Sequence, residues 1–484
     1  MGDTFSANCP SGAFARIRMY RLGIGDCFLL TFVGGGSPRH VLIDCGVLQG
    51  TANGKQKIER VAESIRDETG GHLDVLVATH EHWDHVSGFQ QAGDIFDALR
   101  VDRIWVAWTE DTNDPVAQRF KEEKRMRLQA VHMALNQLAR IRSPEAEDYG
   151  SAIAQLLGFY GGPAEGASLA AFSENTGFAM KAVTERKNGP SPTFCKPGDV
   201  LKPEWGGGLR VYVLGPPRDP AALRDLRGKA GTDIYKIAGI DSLYLAALTQ
   251  TAGEEPDDKS FPFHPSLRWL SEHTDKILKN DALAHLYKSY NDEDAAWRRI
   301  DNEWLVSSAR MALQLDSATN NTSLVLAFEL DDERVLLFPA DAQIGSWRSW
   351  LGLQWSAEQA GRSAAVTARD LLQRTVFYKV GHHGSENATR KEDGLESMTD
   401  GRLVAAIPVD QTFANDTKKW RMPADPLLRR LTVLTKGRIL RADVAWPQPD
   451  DPPPAPGPGD DEWAQFRTSV HIDPGGLFID YMVQ

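Results

Sequence analysis

Cysteine is scarce in this chain of 484 residues: Cys9, Cys27, Cys45 and Cys195 are scattered, with no Cys-x-x-Cys pair. That excludes a disulfide framework and a thiolate zinc site, and leaves the thiols as reduced, structural groups. Long apolar runs are missing too. No segment approaches the ~18 consecutive apolar residues that a membrane span needs. Residues 1–14 lack the basic start and apolar stretch of a secretory leader. The expected setting is cytoplasmic, with no membrane partner. Positive charge is in deficit, at a formal net charge of −12. A surface built as a whole to wrap nucleic acid is therefore disfavoured.

One basic tract runs against that balance. Lys418, Lys419, Arg421, Arg429, Arg430, Lys436, Arg438 and Arg441 face the single acid Asp425, with Trp420 among them. Two readings stand, a solvated helix face and a phosphate-binding surface. The remaining composition, 42% apolar and 25% charged, is that of a globular protein with material for a sizeable core.

Alternating apolar residues over 14–20, 28–33 and 41–44, separated by glycine-rich turns, predict an N-terminal antiparallel meander. Strands then alternate with helices: a helix over 58–65, a strand ending at Thr79, a helix over 89–99 and a strand over 103–107. The expected organisation is a first half-sandwich over 1–110, a helical insertion over 111–200 and a strand within 201–217. A second helical insertion follows over 218–316, and the second half covers 317–484 with a proline-rich loop at 447–458. In that half, strands are predicted over 323–330, 334–338, 375–380 and 403–408, with helices over 364–373 and 426–434.

The densest chemistry is His80-Glu81-His82-Trp83-Asp84-His85, directly after the apolar run Val75-Leu76-Val77-Ala78. An extended continuation of that strand carries His80, His82 and Asp84 to one side, while a helix starting near Asp84 turns His85 elsewhere. Imidazole and carboxylate at one strand-to-helix turn are the ligands of Zn²⁺ and its first-row neighbours, so the segment can serve two metals. Two later segments end strands with similar groups. They are Phe338-Pro339-Ala340-Asp341 and Lys379-Val380-Gly381-His382-His383-Gly384-Ser385.

In that order these motifs resemble the metallo-β-lactamase superfamily, which implies an αββα sandwich with two mainly helical insertions here. A finer likeness is to the ComEC-like branch, the hydrolase domain of bacterial competence proteins. It is carried by Leu22-Gly23-Ile24-Gly25-Asp26-Cys27-Phe28, Leu42-Ile43-Asp44-Cys45-Gly46, Asn320-Asn321-Thr322-Ser323 and the segment around His382. The resemblance implies one or two divalent ions, Zn²⁺ or Mn²⁺. His80 and His82 would hold one, Asp84, His85 and His383 the other, with Asp341 between them. Asp44 would be a structural acid beside the ligands. His382 would be a catalytic proton donor, and Asp84 would orient the nucleophile. Asn321, Lys379 and Ser385 would contact an anionic substrate.

One departure stands out: no histidine lies between His285 and His382, so the first ion lacks a ligand that many superfamily members place before the Ser323 strand. The implied activity is phosphodiester cleavage by a metal-activated hydroxide, on nucleic acid or a nucleotide. Small esters, lactones or phosphocholine-type substrates are the alternative. A third reading, from another class, is a weakly catalytic metal-binding interaction protein whose insertions dock a protein partner or a second copy.

Overall fold

A computed structural model describes residues 15–33, 37–139, 144–162, 172–187, 189–205, 208–225, 274–292, 303–447 and 457–483. Residue 14, most of the proline-rich loop 447–458 and much of the expected second insertion lie outside them. By contact the chain divides into two units. One comprises Met1–Glu122, Gly158–Lys236 and Asp316–Gln484; the other comprises Glu123–Leu157 and Ile237–Leu315.

The first unit is built on two sheets. Strands β1 (Ala15–Tyr20), β2 (Phe28–Phe32) and β3 (Arg39–Ile43) form the meander, and β4 (Val75–Ala78), β5 (Ile104–Ala107) and β6 (Thr193–Cys195) extend it in parallel. The second sheet holds β7 (Val200–Leu201), β8 (Arg210–Gly215), β9 (Val325–Glu329), β10 (Val335–Phe338), β11 (Thr375–Lys379), β12 (Val404–Ile407) and β13 (Ile439–Arg441). The chain then returns, and β14 (Val470–Ile472) and β15 (Phe478–Val483) complete the first sheet. Its order is β14-β15-β1-β2-β3-β4-β5-β6, and the second runs β13-β12-β11-β10-β9-β8-β7. Each sheet is antiparallel at one end and parallel at the other.

The two-residue period decides which way each side chain faces. In β2, Phe28, Leu30 and Phe32 enter the core shared with the second sheet, while Leu29 joins a core on the opposite face. That opposite face is covered by helices α1 (Gly54–Thr69), α2 (Trp83–Gln91) and, beyond α3 (Pro115–Leu138) and α4 (Pro144–Leu157), by α5 (Phe172–Thr184). In β9, Leu326 and Phe328 face the first sheet, and Val325 and Ala327 join Trp347, Trp350 and Leu431 on the outside. The unit is thus a mixed α/β sandwich with helices on both outer faces, as an αββα architecture requires.

One helix starts later than its pattern suggests. Predicted over 364–373, it is observed as Ala368–Gln373, because Thr367 and Asp370 close a reciprocal capping box that stops the chain from becoming helical earlier.

The second unit is helical in its described residues. Helices Thr274–Leu278 and Asp281–Tyr290 pack on each other, the latter capped by Asn280, whose side chain accepts from the Leu283 N–H at 3.2 Å. Among the described residues no helix is long and apolar enough to cross a membrane.

Candidate metal centre

Strand ends assemble the site. After β4, Thr79 donates its N–H to Asp44 Oδ1 at 2.8 Å and its hydroxyl to Asp44 Oδ2 at 2.7 Å. The chain stays extended to His82, which precedes α2 at φ −68° and ψ 146°, and Asp84 and His85 fall in the first helical turn. An acid there also suits the positive end of the helix. Two backbone bonds hold this turn in place: the Asp26 N–H to Asp84 O at 2.9 Å, and the Cys45 N–H to His85 O at 2.8 Å. From the second sheet, Asp341 lies just beyond β10, and His382 and His383 just beyond β11.

Backbone strain gathers at these ends. Asp44, Ala340, His382 and His383 have φ of 56°, 50°, 42° and 54°. Such angles cost a residue with a side chain on the order of 1 kcal/mol each. Their concentration around one cluster argues that position there outranks local stability.

Asp84, His85, Asp341 and His383 are buried, and each offers one ligand atom within 4.8 Å of the others. His383 Nε2 lies 2.9 Å from Asp84 Oδ2, and His85 Nε2 lies 3.1 Å from Asp341 Oδ2. Two further pairs are 3.8 Å apart, His85 to Asp84 and His383 to Asp341. Ligands around a tetrahedral cation at ~2.1 Å are about 3.4 Å from one another, which is the scale seen here.

The hydrogen-bond pattern fits an ion as well. His383 Nδ1 donates to the Pro408 carbonyl at 2.7 Å, and His85 Nδ1 to Asp44 Oδ2 at 2.8 Å. Neither acceptor carries a proton, so both rings turn an Nε2 lone pair inward when neutral. Thr79 spends its proton on Asp44 and so accepts from His80 Nδ1 at 3.2 Å, which leaves His80 in the same form. Asp44 thereby orients two imidazoles.

The inward atoms His80 Nε2, His82 Nε2, Asp84 Oδ1, His85 Nε2, Asp341 Oδ2 and His382 Nε2 are all buried without a hydrogen-bond partner. Ligand atoms of this kind, converging beside buried Asp26, Asp44, Asp84 and Asp341, with Lys379 the one permanent cation beside them among the described residues, suit a metal cluster.

Proton affinities follow the same charges. Burial pulls His85 down, but the carboxylates led by Asp341 and Asp26 push it well above the usual imidazole value, and His383 is raised for similar reasons. Burial pushes Asp341 up, yet His85 and Lys379 hold it well below the carboxylate range. His82 and His382 are lowered by burial to about 4, and His80 well below normal. Protons on His85 and His383 therefore compete with a cation. Raising the pH removes the competitor, so the affinity for Mn²⁺ or Zn²⁺ rises from pH 6 to pH 8 with proton release. Calorimetric titration in buffers of different ionisation enthalpy measures both; an affinity that is flat with pH would contradict the arrangement.

The other expected residues divide. Ser385 meets His382: its hydroxyl donates to Asn387 Oδ1 at 2.9 Å, and its oxygen lies 3.0 Å from His382 Nδ1. It thus supports that ring from behind, where the Gln343 amide also lies 3.4 Å from His382 Nδ1, and His382 turns its Nε2 to the cluster. Lys379, expected to touch substrate, is instead enclosed by the protein. It is 1% exposed, its Nζ held by Asp26 Oδ2 at 2.5 Å, Ala340 O at 2.9 Å and Asp341 Oδ1 at 3.2 Å. Burial beside two carboxylates makes it a structural counter-charge. Asn321 is also corrected. Its amide donates to Leu223 O and Asp225 O, and its oxygen accepts from the Gln343 and Ser346 N–H groups, so no atom remains for substrate or metal.

Three residues escaped the sequence reading. Asp26 was visible only as part of a glycine-rich motif. Phe159, whose ring lies 5.4 Å from that of His82, carried no signal. Asp316, whose Oδ1 is 3.8 Å from His82 Nε2, sits in a helix where an acid reads as solvated.

Residues 20–153 match the family model of the Metallo-beta-lactamase superfamily. The matched span includes His80 to His85 and identifies a domain of that superfamily, whose members are mostly hydrolytic metalloenzymes. Asp341 and His383 lie beyond it. No curated protein matches the chain.

Proposed function

We propose that the chain is a metal-dependent hydrolase of phosphodiesters, acting on nucleic acid or a nucleotide derivative with Zn²⁺ or Mn²⁺ as its ion. The observation that carries the substrate class is the segment 418–421. Trp420 stacks on Phe159 with centroids 5.2 Å apart at 14°, and Phe159 lies against His82 and His382. Lys418 sits over the Trp420 ring at 5.8 Å. Lys418, Lys419 and Arg421 have no carboxylate partner among the described residues. Aromatic faces beside the cluster, with Lys418 over one ring and Lys419 and Arg421 flanking Trp420 in the chain, suit a planar base followed by phosphate. Four other cations of the basic tract are committed to partners: Arg430 grips Glu396, Lys436 meets Glu462, Arg441 meets Asp443, and Arg438 binds the Gly401 and Leu403 carbonyls.

A divalent ion held by Asp84, His85, Asp341 and His383 would supply water activation and charge neutralisation at the phosphate. The side chains supply position and proton transfer. Asp84 Oδ1 is free to accept from the attacking water and so to orient it. His382 Nε2, backed by Ser385, can take that water's proton and later hand it to the leaving oxygen. Kinship with the competence-protein hydrolases is part of this proposal. The run Asn321-Thr322-Ser323 supports it, following the stretch where many relatives carry a histidine, and the Ser323 hydroxyl accepts the Asp341 N–H at 3.2 Å and lies 3.3 Å from His80 Nδ1.

Loaded with Mn²⁺ or Zn²⁺, the protein is expected to cleave bis(p-nitrophenyl) phosphate and single-stranded DNA or RNA, to lose that activity to a chelator and to regain it when metal returns. Changing Lys419→Glu and Arg421→Glu together raises KM for an oligonucleotide on the order of 10-fold, with little change for the small diester. Faster turnover of carboxylic esters, lactones or phosphocholine-type compounds would overturn the substrate class. Absence of hydrolysis at every metal loading would favour a metal-binding interaction protein.

A further inference from the structure

We infer that Asp316 is a metal ligand, completing with His80 and His82 a second cation position beside the group formed by Asp84, His85, Asp341 and His383. The inference rests on the metal-dependent reading above and deepens it, since a histidine-poor segment left the His80 and His82 position short of a ligand.

Asp316 is 5% exposed and lies in the last turns of α6 (Glu303–Asn320). One of its oxygens is accounted for: Oδ2 accepts from Asn320 Nδ2 at 3.2 Å, which fixes the plane of the carboxylate. Its Oδ1 is buried with no hydrogen-bond partner and points toward His82, 3.8 Å from Nε2. That distance is too long for a hydrogen bond and suits two groups that share a cation. Both His82 nitrogens are likewise buried without hydrogen bonds.

The His82 ring is held by packing instead, with Phe159 at 5.4 Å and Tyr160 edge-on at 5.0 Å. Tyr160 is itself tied to Thr319 on the same helix by a 2.9 Å hydrogen bond. Helix and histidine are therefore fixed with respect to each other, and the gap between them is bounded by unpartnered ligand atoms.

Position along the helix sharpens the argument. The C-terminal end of a helix carries partial negative charge, so a buried acid in its final turns is unfavourable unless a cation stands nearby. Among the described residues no lysine or arginine pairs with Asp316. Other side chains of this segment are committed elsewhere: Asn321 to four backbone groups, and Thr322 to the Thr319 carbonyl at 2.6 Å. Among the described residues of this segment two buried oxygens keep no partner, Asp316 Oδ1 and Asn320 Oδ1, and the one that carries charge and lies against His82 is that of Asp316.

The test is metal stoichiometry. Apo protein titrated calorimetrically with Zn²⁺ or Mn²⁺ is expected to take two equivalents, and Asp316→Asn one, the second being weakened on the order of 100-fold or more. Asp316→His, which restores a neutral ligand, recovers much of the second equivalent. Anomalous diffraction from the metal-loaded wild-type protein needs no variant: an ion on His82 bonded also to Asp316 Oδ1 supports the inference, however the variants fold. Two equivalents of unchanged affinity in Asp316→Asn would overturn it. So would an ion on His80 and His82 that leaves Asp316 unbonded, or a single ion confined to the Asp84 group, and either leaves the metallohydrolase reading standing. Binding of no metal at all would remove both.

Discussion

Asp341→Asn will cost kcat/KM roughly 10²- to 10⁴-fold, the rate equivalent of the about 3–5 kcal/mol lost when a buried ionic constellation is broken. Its carboxylate spans the site: Oδ1 accepts from Lys379 at 3.2 Å, while the unpartnered Oδ2 lies 3.1 Å from His85 Nε2 and 3.8 to 3.9 Å from His383 and His382. Asparagine preserves shape but removes the charge, and one arm becomes an NH₂ that cannot ligate. Lys379 keeps Asp26 and the Ala340 carbonyl, so the fold survives. Metal content measured beside the kinetics distinguishes the cause, because the variant should bind less metal as well as turn over slowly. Full activity with a full metal complement would sink the assignment of Asp341 to the centre.

Gly46→Ala will damage the same centre through the backbone. A Cβ at this position would lie 2.4 Å from the Asp84 carbonyl carbon, 2.5 Å from His85 N and 2.6 Å from Asp84 O. Those atoms form the first turn of α2 and cannot swing aside as a flexible side chain would. They are also tied to the Asp26 and Cys45 N–H groups. Relief requires α2 to move away, taking Asp84 and His85 with it. The expected cost is about 2–3 kcal/mol in stability. Misplacing two ligands should also weaken metal binding on the order of 100-fold. Gly177→Ala is the control. Its Cβ would meet nothing within 4 Å, it lies inside α5, and it should be neutral or slightly stabilising. Equal melting temperatures and metal affinities for the two variants would show that the close approach at Gly46 is not needed.

Gly46 shows how far the chain could be read in one dimension. The motif Leu42-Ile43-Asp44-Cys45-Gly46 was visible as a strand entering a glycine turn, but the partner that makes the glycine necessary lies in another element. Phe28, Leu30 and Phe32 announced both a strand and its buried face, and the dense run of ligands at His80 to His85 announced the centre. Lys379 and Asn321 looked like substrate contacts because a cation and an amide near a ligand motif normally face solvent. Here Asp26 and Asp341 enclose the first, and the polar backbone around Leu223, Asp225, Gln343 and Ser346 enclose the second.

Local order therefore belonged to the sequence by itself. Side-chain period sets which residues of a strand enter the core, and adjacent ligands within one turn stay adjacent whatever the rest of the chain does. The completion of the site belonged to the tertiary structure. Sheet order β3-β4 and β10-β11 brings separate strand ends to one edge. There His383 reaches Asp84, Asp316 reaches His82, and Phe159 meets Trp420. Such meetings depend on how whole elements pack, and burial, which turns an ordinary acid or lysine into a committed charge, exists only once they have packed.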